Sequence, residues 1–352
     1  MYFSNADLLP FKDLASAAVI NGLHISGKKI EEIKVVALGA GAAGIACLVG
    51  AGNTFTGLMV LGFVTVLNIP LSFILATGFL GIVQLGFPGI ALGTSISHAS
   101  GSLLVMCLLL RGSSSLQWNL KEKFDVELIR RLLRVSLPAG VDSLSIGFGQ
   151  FVFLAIINRL GEAAGGAHGI ALGWEALGYL SGAAFGTAAT ALVGLNLGAG
   201  LPKEASRCAW TAYGLGAVFM SIMGGVFFFF AESMFLVFCP DPSQGEIVRI
   251  GAPVLRLIAF AMPFLASCII MTSALRGAGD TRIPVLFTWI GFFLLRIPVA
   301  LLFARNPSND IFMPELAWGL LGAWLAMFVD LFARGILLIY RFGSGKWQSV
   351  KV

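Results

Sequence analysis

Eight apolar runs, each long enough to cross a bilayer, follow one another along the chain. They lie at roughly residues 55–77, 86–110, 136–159, 166–196, 206–230, 248–275, 283–304 and 317–340. A spanning helix needs about 20 mostly apolar residues. Lipid offers no partner for a free backbone N–H or C=O, so only helices and closed barrels cross it. Barrel strands alternate apolar and polar residues over about ten positions, and these runs do not alternate. The expected fold class is an all-α integral membrane protein with about eight transmembrane helices. Composition agrees: 57% of residues are hydrophobic and 12% charged, against about 25% charged in a soluble domain. On a water-facing surface such a chain would aggregate. The 44 glycines suit lipid, where small residues let helix backbones approach closely.

The net charge of +5 does not point to nucleic acid, because the basic residues sit in short loops between apolar runs. Their distribution instead gives an orientation. Numbering the sides alternately, the N-terminal side receives Lys28, Lys29 and Lys34, then Arg111, Lys121, Lys123, Arg130, Arg131 and Arg134. It also receives Lys203 and Arg207, Arg276 and Arg282, and finally Arg341, Lys346 and Lys351. The other side receives Arg159, Arg249 and Arg305. Sixteen against three places both termini in the cytoplasm by the positive-inside rule. The five cysteines are scattered, with no Cys-x-x-Cys pair, so neither a disulfide framework nor a metal site is expected. The first 30 residues lack a basic start followed by an apolar core, so no secretory signal is expected.

The chain also repeats itself. Gly50-Ala51-Gly52-Asn53-Thr54 matches Gly277-Ala278-Gly279-Asp280-Thr281, and Ile69-Pro70 matches Ile297-Pro298. Gly89 then matches Gly319, and Arg111 matches Arg341. Both copies run outward and back in the same sense, which is the parallel repeat of carriers built from two similar halves.

The residues of the second copy resemble a known family. Leu275-Arg276-Gly277-Ala278-Gly279-Asp280-Thr281 followed by Pro284 resembles a hallmark of the multidrug and toxic compound extrusion (MATE) transporters. So do Leu137-Pro138-Ala139-Gly140-Val141-Asp142, Ala167-His168-Gly169-Ile170-Ala171-Leu172 with Glu175, and Leu192-Val193-Gly194-Leu195-Asn196-Leu197-Gly198-Ala199-Gly200. Leu195 stands where the family commonly has Gln. The resemblance covers about residues 48–343 and implies efflux of organic cations or drugs in exchange for Na⁺ or H⁺, without enzymatic activity. It also implies the plasma (inner) membrane. The family has twelve helices in two bundles of six, of which this chain matches the last eight. Residues 48–112 are then a remnant of the first bundle, 113–135 a cytoplasmic linker, 136–343 a complete second bundle and 344–352 a cytoplasmic tail. Such a chain is expected to be truncated and defective in coupled transport. Two other readings stay open: a lipid-linked precursor flippase of the same superfamily, and an enzyme fragment on a membrane anchor.

That enzyme reading comes from residues 1–47. Ile33-Lys34-Val35-Val36-Ala37-Leu38 leads into Gly39-Ala40-Gly41-Ala42-Ala43-Gly44, a Gly-x-Gly-x-x-Gly fingerprint in which Gly39, Gly41 and Gly44 would let backbone approach a pyrophosphate. Together with Leu14 to Leu23 and Gly27 to Lys34, about residues 13–47 resemble the segment of malic enzyme before its NAD site. No acidic residue follows about 20 positions later to hold a ribose, so the fingerprint reads as vestigial and the chain as chimeric, with no NAD or other cofactor expected. Gly-rich helix packing is the other reading.

Charges inside spanning helices mark pathways by default. Asp142 lies early in the third run and Glu175 near the middle of the fourth, so both are candidates to bind a cation, Na⁺ included, or carry a proton. Competition of ion and drug for one carboxylate is the simplest basis for exchange. Asn196 is a candidate for a gating or substrate role, or a polar helix end. His168 is expected to be solvated, Arg256 and Arg296 to snorkel to the outer interface, and Asp330 and Arg334 to pair at i,i+4. Asn53 and Asp280 are expected to cap helices. Trp174, Trp289 and Trp324 are expected either to line a drug pocket or to anchor at lipid. The partners expected are the bilayer and small organic cations, not nucleic acid; the oligomeric state is open.

Overall fold

The computed structural model describes residues 41, 43–50, 53–78, 85–111, 126–305 and 318–349. Among them are eight helices long and apolar enough to cross a membrane. They are α1 (Thr54–Thr77), α2 (Phe87–Arg111), α3 (Val126–Asn158), α4 (Glu162–Gly198), α5 (Pro202–Phe238), α6 (Gly245–Gly277), α7 (Arg282–Phe303) and α8 (Gly319–Gly343). Each apolar run forms one helix, and no strand occurs among the described residues. Two compact units divide the chain, residues 1–123 and 124–352.

In the first unit α1 packs on α2. Gly93 of α2 lies against the backbone of Ser72, where an added Cβ would stand 2.8 Å from its Cα. Asn68 donates across the pair to the Thr94 hydroxyl at 3.2 Å. Asn53 caps α1 as expected, its side-chain oxygen accepting the Thr56 N–H at 3.1 Å. Gly39 and most of residues 1–47 lie outside the described residues. Gly41 and Gly44 are helical and face Ser102 and Val105 of α2, the packing role that small residues play between membrane helices. Leu48, beyond them, is buried with Val60 and Val105.

The second unit is built around α6, which contacts α4, α5 and α8. Leu255, Ile258, Met262, Met271 and Leu275 put an apolar face of α6 out of reach of the surroundings. Lipid tails are as apolar as these side chains, so close van der Waals fit holds the helices together rather than expulsion from water. Two devices supply it. On α4, Gly178, Gly182 and Gly186 recur every four residues and admit Met262, Met220 and Ser273. On α6, Pro263 has no N–H to give the carbonyl of Ala259 one turn back, and α5 meets that carbonyl at Gly224, where a Cβ would stand 2.6 Å from the oxygen. Hydrogen bonds add register: Thr190 donates to the Ser273 carbonyl at 2.8 Å, and the Ser267 hydroxyl meets that of Tyr213 at 3.0 Å.

Several boundaries differ from the apolar runs. α3 starts at Val126, so the last part of the expected 113–135 linker is helical. Its first turns carry Arg130 and Arg134, too polar to register as a hydrophobic run. α7 changes register midway: Arg282–Trp289 is α-helical, Ile290–Arg296 is a π-helix and Ile297–Phe303 returns to α. The Ile297 N–H reaches back to the Phe292 carbonyl, and Pro298 has no N–H with which to continue an α ladder. The matching Pro70 sits in an unbroken α1.

Asp280 does not cap. It is buried, and its Oδ2 accepts both Nε and Nη2 of Arg341 at 2.9 and 2.7 Å, tying the turn after α6 to the end of α8. The tail beyond α8 docks rather than trailing: Trp347 is buried, stacks on Phe342 at 4.7 Å and donates to its carbonyl at 2.8 Å.

Candidate functional site

A cavity of about 310 Å³ opens among α3, α4, α6, α7 and α8 of the second unit. The third helix contributes Asp142, Ile146 and Gln150; the fourth Glu175, Tyr179 and Thr187; the sixth Cys268, Thr272, Ser273 and Arg276. Thr288, Phe292 and Arg296 come from α7, and Met327, Leu331 and Arg334 from α8. Two of the three residues expected to bind cation or substrate, Asp142 and Glu175, thus share one wall-to-wall space. The third, Asn196, does not reach it: its amide donates to the Leu192 carbonyl at 2.8 Å and lies 3.7 Å from Cys208 Sγ.

The charges around the cavity are unequal in their commitments. Asp142 is buried and its Oδ2 takes Arg276 Nη2 at 2.5 Å, while Oδ1 has no hydrogen-bond partner. Asp330, behind the wall, is fully buried and takes two arginines: Arg296 Nη2 at 2.6 Å and Arg334 Nε at 2.7 Å. A buried charge left alone costs several kcal/mol, so these pairings are what allow the groups to be ionised in the core. Glu175 is the exception. Among the described residues it has neither an ion pair nor a hydrogen bond.

Arg296 was expected to snorkel outward and does not. It is 2% exposed. The π segment ends on it and brings it to Asp330. Its guanidinium lies over the ring of Phe292 at 4.1 Å and within 5.6 Å of that of Phe153, cation–π contacts that hold its plane. Gly291 makes room, for a Cβ there would collide with Asp330 and with Arg334. Linear depth along α7 suggested the interface, and the change of register was not foreseen. The i,i+4 pairing of Asp330 and Arg334 did form. Arg276 was read as a loop charge, and nothing in the linear sequence ties it to Asp142.

The other polar expectations sort similarly. His168 is buried rather than solvated, its Nδ1 accepting the Trp324 indole N–H at 3.1 Å. Arg256 pairs with Glu232 at 2.8 Å, both partly exposed. None of the three tryptophans lines the cavity. Trp324 is spent on His168, Trp174 donates to the Met234 carbonyl at 3.2 Å, and Trp289 donates to Ser145 at 2.9 Å.

A polar cavity walled by five long apolar helices is a candidate site for a small molecule. In comparison with known proteins, residues 138–302 match the MatE family model. The chain is 30% identical over 306 residues to the probable multidrug resistance protein NorM of Thermotoga maritima, covering 86% of this chain and 63% of that protein. It is 28% identical over 288 residues to the multidrug resistance protein MdtK of Yersinia pestis, covering 80% and 61%. Among solved structures, MATE in complex with MaL6 superposes with a TM-score of 0.80 at 17% identity, over 97% of this chain and 76% of that one. A multidrug resistance MATE family transporter in an outward-facing conformation gives 0.75 at 17%. The chain is similar to MATE-family proteins in sequence and shares their fold. It spans less than two thirds of the length of the curated relatives it matches.

Proposed function

We propose that the cavity is the ion- and drug-binding site of a MATE-type multidrug efflux transporter of the plasma membrane, with both termini cytoplasmic. An organic cation or drug and a coupling ion, Na⁺ or H⁺, occupy it in turn. The observation that carries this reading is the state of Glu175: an uncommitted carboxylate on a cavity whose other acid, Asp142, already holds Arg276. Such a group gains a partner when a cation arrives and loses it when the cation leaves, so ion and drug exclude each other there. Asp142, neutralised by its arginine, serves as a weaker second ligand through its free Oδ1. The names of the relatives, multidrug resistance proteins, support drugs as the cargo.

The test is competition. Ethidium fluorescence would be titrated with the purified full chain in detergent, at rising Na⁺ and at falling pH. One of the two ions should weaken ethidium binding in the wild type and have no such effect on what binding remains in Glu175→Gln. Ethidium binding indifferent to both ions would refute exchange at this site. A flippase reading would draw on the three arginines of the wall. All three are paired, Arg276 with Asp142 and both Arg296 and Arg334 with Asp330, which favours the drug reading.

A further inference from the structure

A second hollow, of about 330 Å³, lies between α3 and α7 and apart from the cavity. Leu137, Pro138 and Val141 of α3 and Val285, Leu286 and Trp289 of α7 line it. The same helices show the cavity other residues, Asp142 and Ile146 from α3, Thr288 and Phe292 from α7. Trp289 donates to Ser145 at 2.9 Å, one turn beyond Val141, and bridges the two helices at one end of the groove. The other end is basic. Arg282 belongs to the lining. Arg134 precedes Leu137 and Pro138 by three and four positions, which puts it on their face of α3, one turn nearer the helix start. Each helix thus carries the same order: an exposed arginine, then an apolar stripe one and two turns on.

Neither arginine has an ion pair among the described residues. Basic residues at neighbouring helix ends do: Arg207 with Glu204, Arg276 with Asp142, Arg341 with Asp280. Asp142, beside Val141, and Asp280, two residues before Arg282, are thereby taken, and the anion for Arg134 and Arg282 comes from outside the chain. Next to an apolar groove on a membrane helix, that anion is a lipid phosphate, and the groove is the path of an acyl chain. The loop charges assign this end to the cytoplasmic leaflet, where anionic lipids collect. We propose that the groove binds one anionic glycerophospholipid, its phosphate at Arg134 and Arg282 and an acyl chain along Leu137, Val141 and Leu286. A guanidinium fork matches phosphate oxygens two at a time, which a snorkelling cation in open solvent does not require. The site stands independently of what the cavity binds.

The delipidated full chain in detergent would be titrated with dioleoylphosphatidylglycerol or dioleoylphosphatidylcholine and read by native mass spectrometry. The first phosphatidylglycerol should bind about tenfold or more tightly than the first phosphatidylcholine, since one arginine near an anionic lipid supplies about fivefold. Arg134→Gln and Arg282→Gln should each weaken phosphatidylglycerol about fivefold, and the double variant should bind the two lipids equally. Val141→Trp fills the groove without touching a charge and should weaken both lipids. Arg249→Gln, on the exposed pair with Glu246, should change neither. The three groove positions are exposed, and the wild-type comparison needs no variant. Equal affinity of the wild type for the two lipids overturns the inference. So does a preference that survives loss of both arginines, or binding indifferent to Val141→Trp. A dimer that excludes the lipid and is lost in Val141→Trp would make the groove a contact between two copies and also overturn it. None of these outcomes bears on Glu175.

Discussion

Asp330 carries the largest structural load of any single side chain around the cavity. It is fully buried between two arginines, and Asp330→Asn leaves both with a neutral partner. Removing one member of a buried ionic cluster costs about 3–5 kcal/mol, so thermal unfolding in detergent should show a large loss of Tm. Glu246→Gln breaks the Arg249 pair, whose side chains are 79% and 64% exposed. Exposed pairs are worth about 0–1 kcal/mol, so that variant should melt within a degree or two of the wild type. Equal losses would mean that burial does not govern these pairs. At this scale the sequence was partly legible. Asp142, Glu175 and the Asp330–Arg334 pair could be read because a charge inside an apolar run stands out, and because i,i+4 spacing is local. The partnership of Asp142 with Arg276, separated by 134 positions, exists only through the packing of α3 against its neighbours and has no local signal.

At the scale of helices, length and apolar composition located all eight spans, since a bilayer of fixed thickness imposes one criterion on every segment. Helix ends and register obey other rules. The start of α3 is polar, and the π segment of α7 lies where Gly291 packs against Asp330 and Arg334 of α8. Helix contact offers a sharper test than helix existence. Gly224 faces the Ala259 carbonyl, whereas an added Cβ on its neighbour Gly225 would meet nothing within 4 Å. Gly224→Val must push α5 away from a backbone atom and should destabilise by about 1–3 kcal/mol. Gly225→Val should be neutral or slightly stabilising, because it replaces a poor helix former. Indistinguishable melting of the two variants would show that α5 and α6 do not meet there.

For the whole molecule, orientation rests on the sixteen basic residues against three, a bias set by insertion rather than by packing. In a cysteine-free background, Lys203→Cys and Lys346→Cys should react in intact cells only with a membrane-permeant thiol reagent. Ser243→Cys, exposed in the turn between α5 and α6, should also react with an impermeant one. The reverse pattern would invert the topology. The two matching stretches of sequence, residues 50–111 and 277–341, differ in chemistry: Asn53 caps a helix where Asp280 clamps Arg341.

Glu175, uncommitted in a cavity of paired charges, is the group we propose to bind a cationic drug. The most direct measurement is the ethidium dissociation constant of the purified chain, wild type against Glu175→Gln, with Glu204→Gln as a control on an exposed acid outside the cavity. The substitution keeps size and hydrogen bonding and removes only the charge. We predict about tenfold or greater weakening in Glu175→Gln, the loss of one buried charge-assisted contact, and no change in Glu204→Gln. Ethidium affinity unchanged by Glu175→Gln, in protein that melts like the wild type, would exclude Glu175 as the partner of the cation.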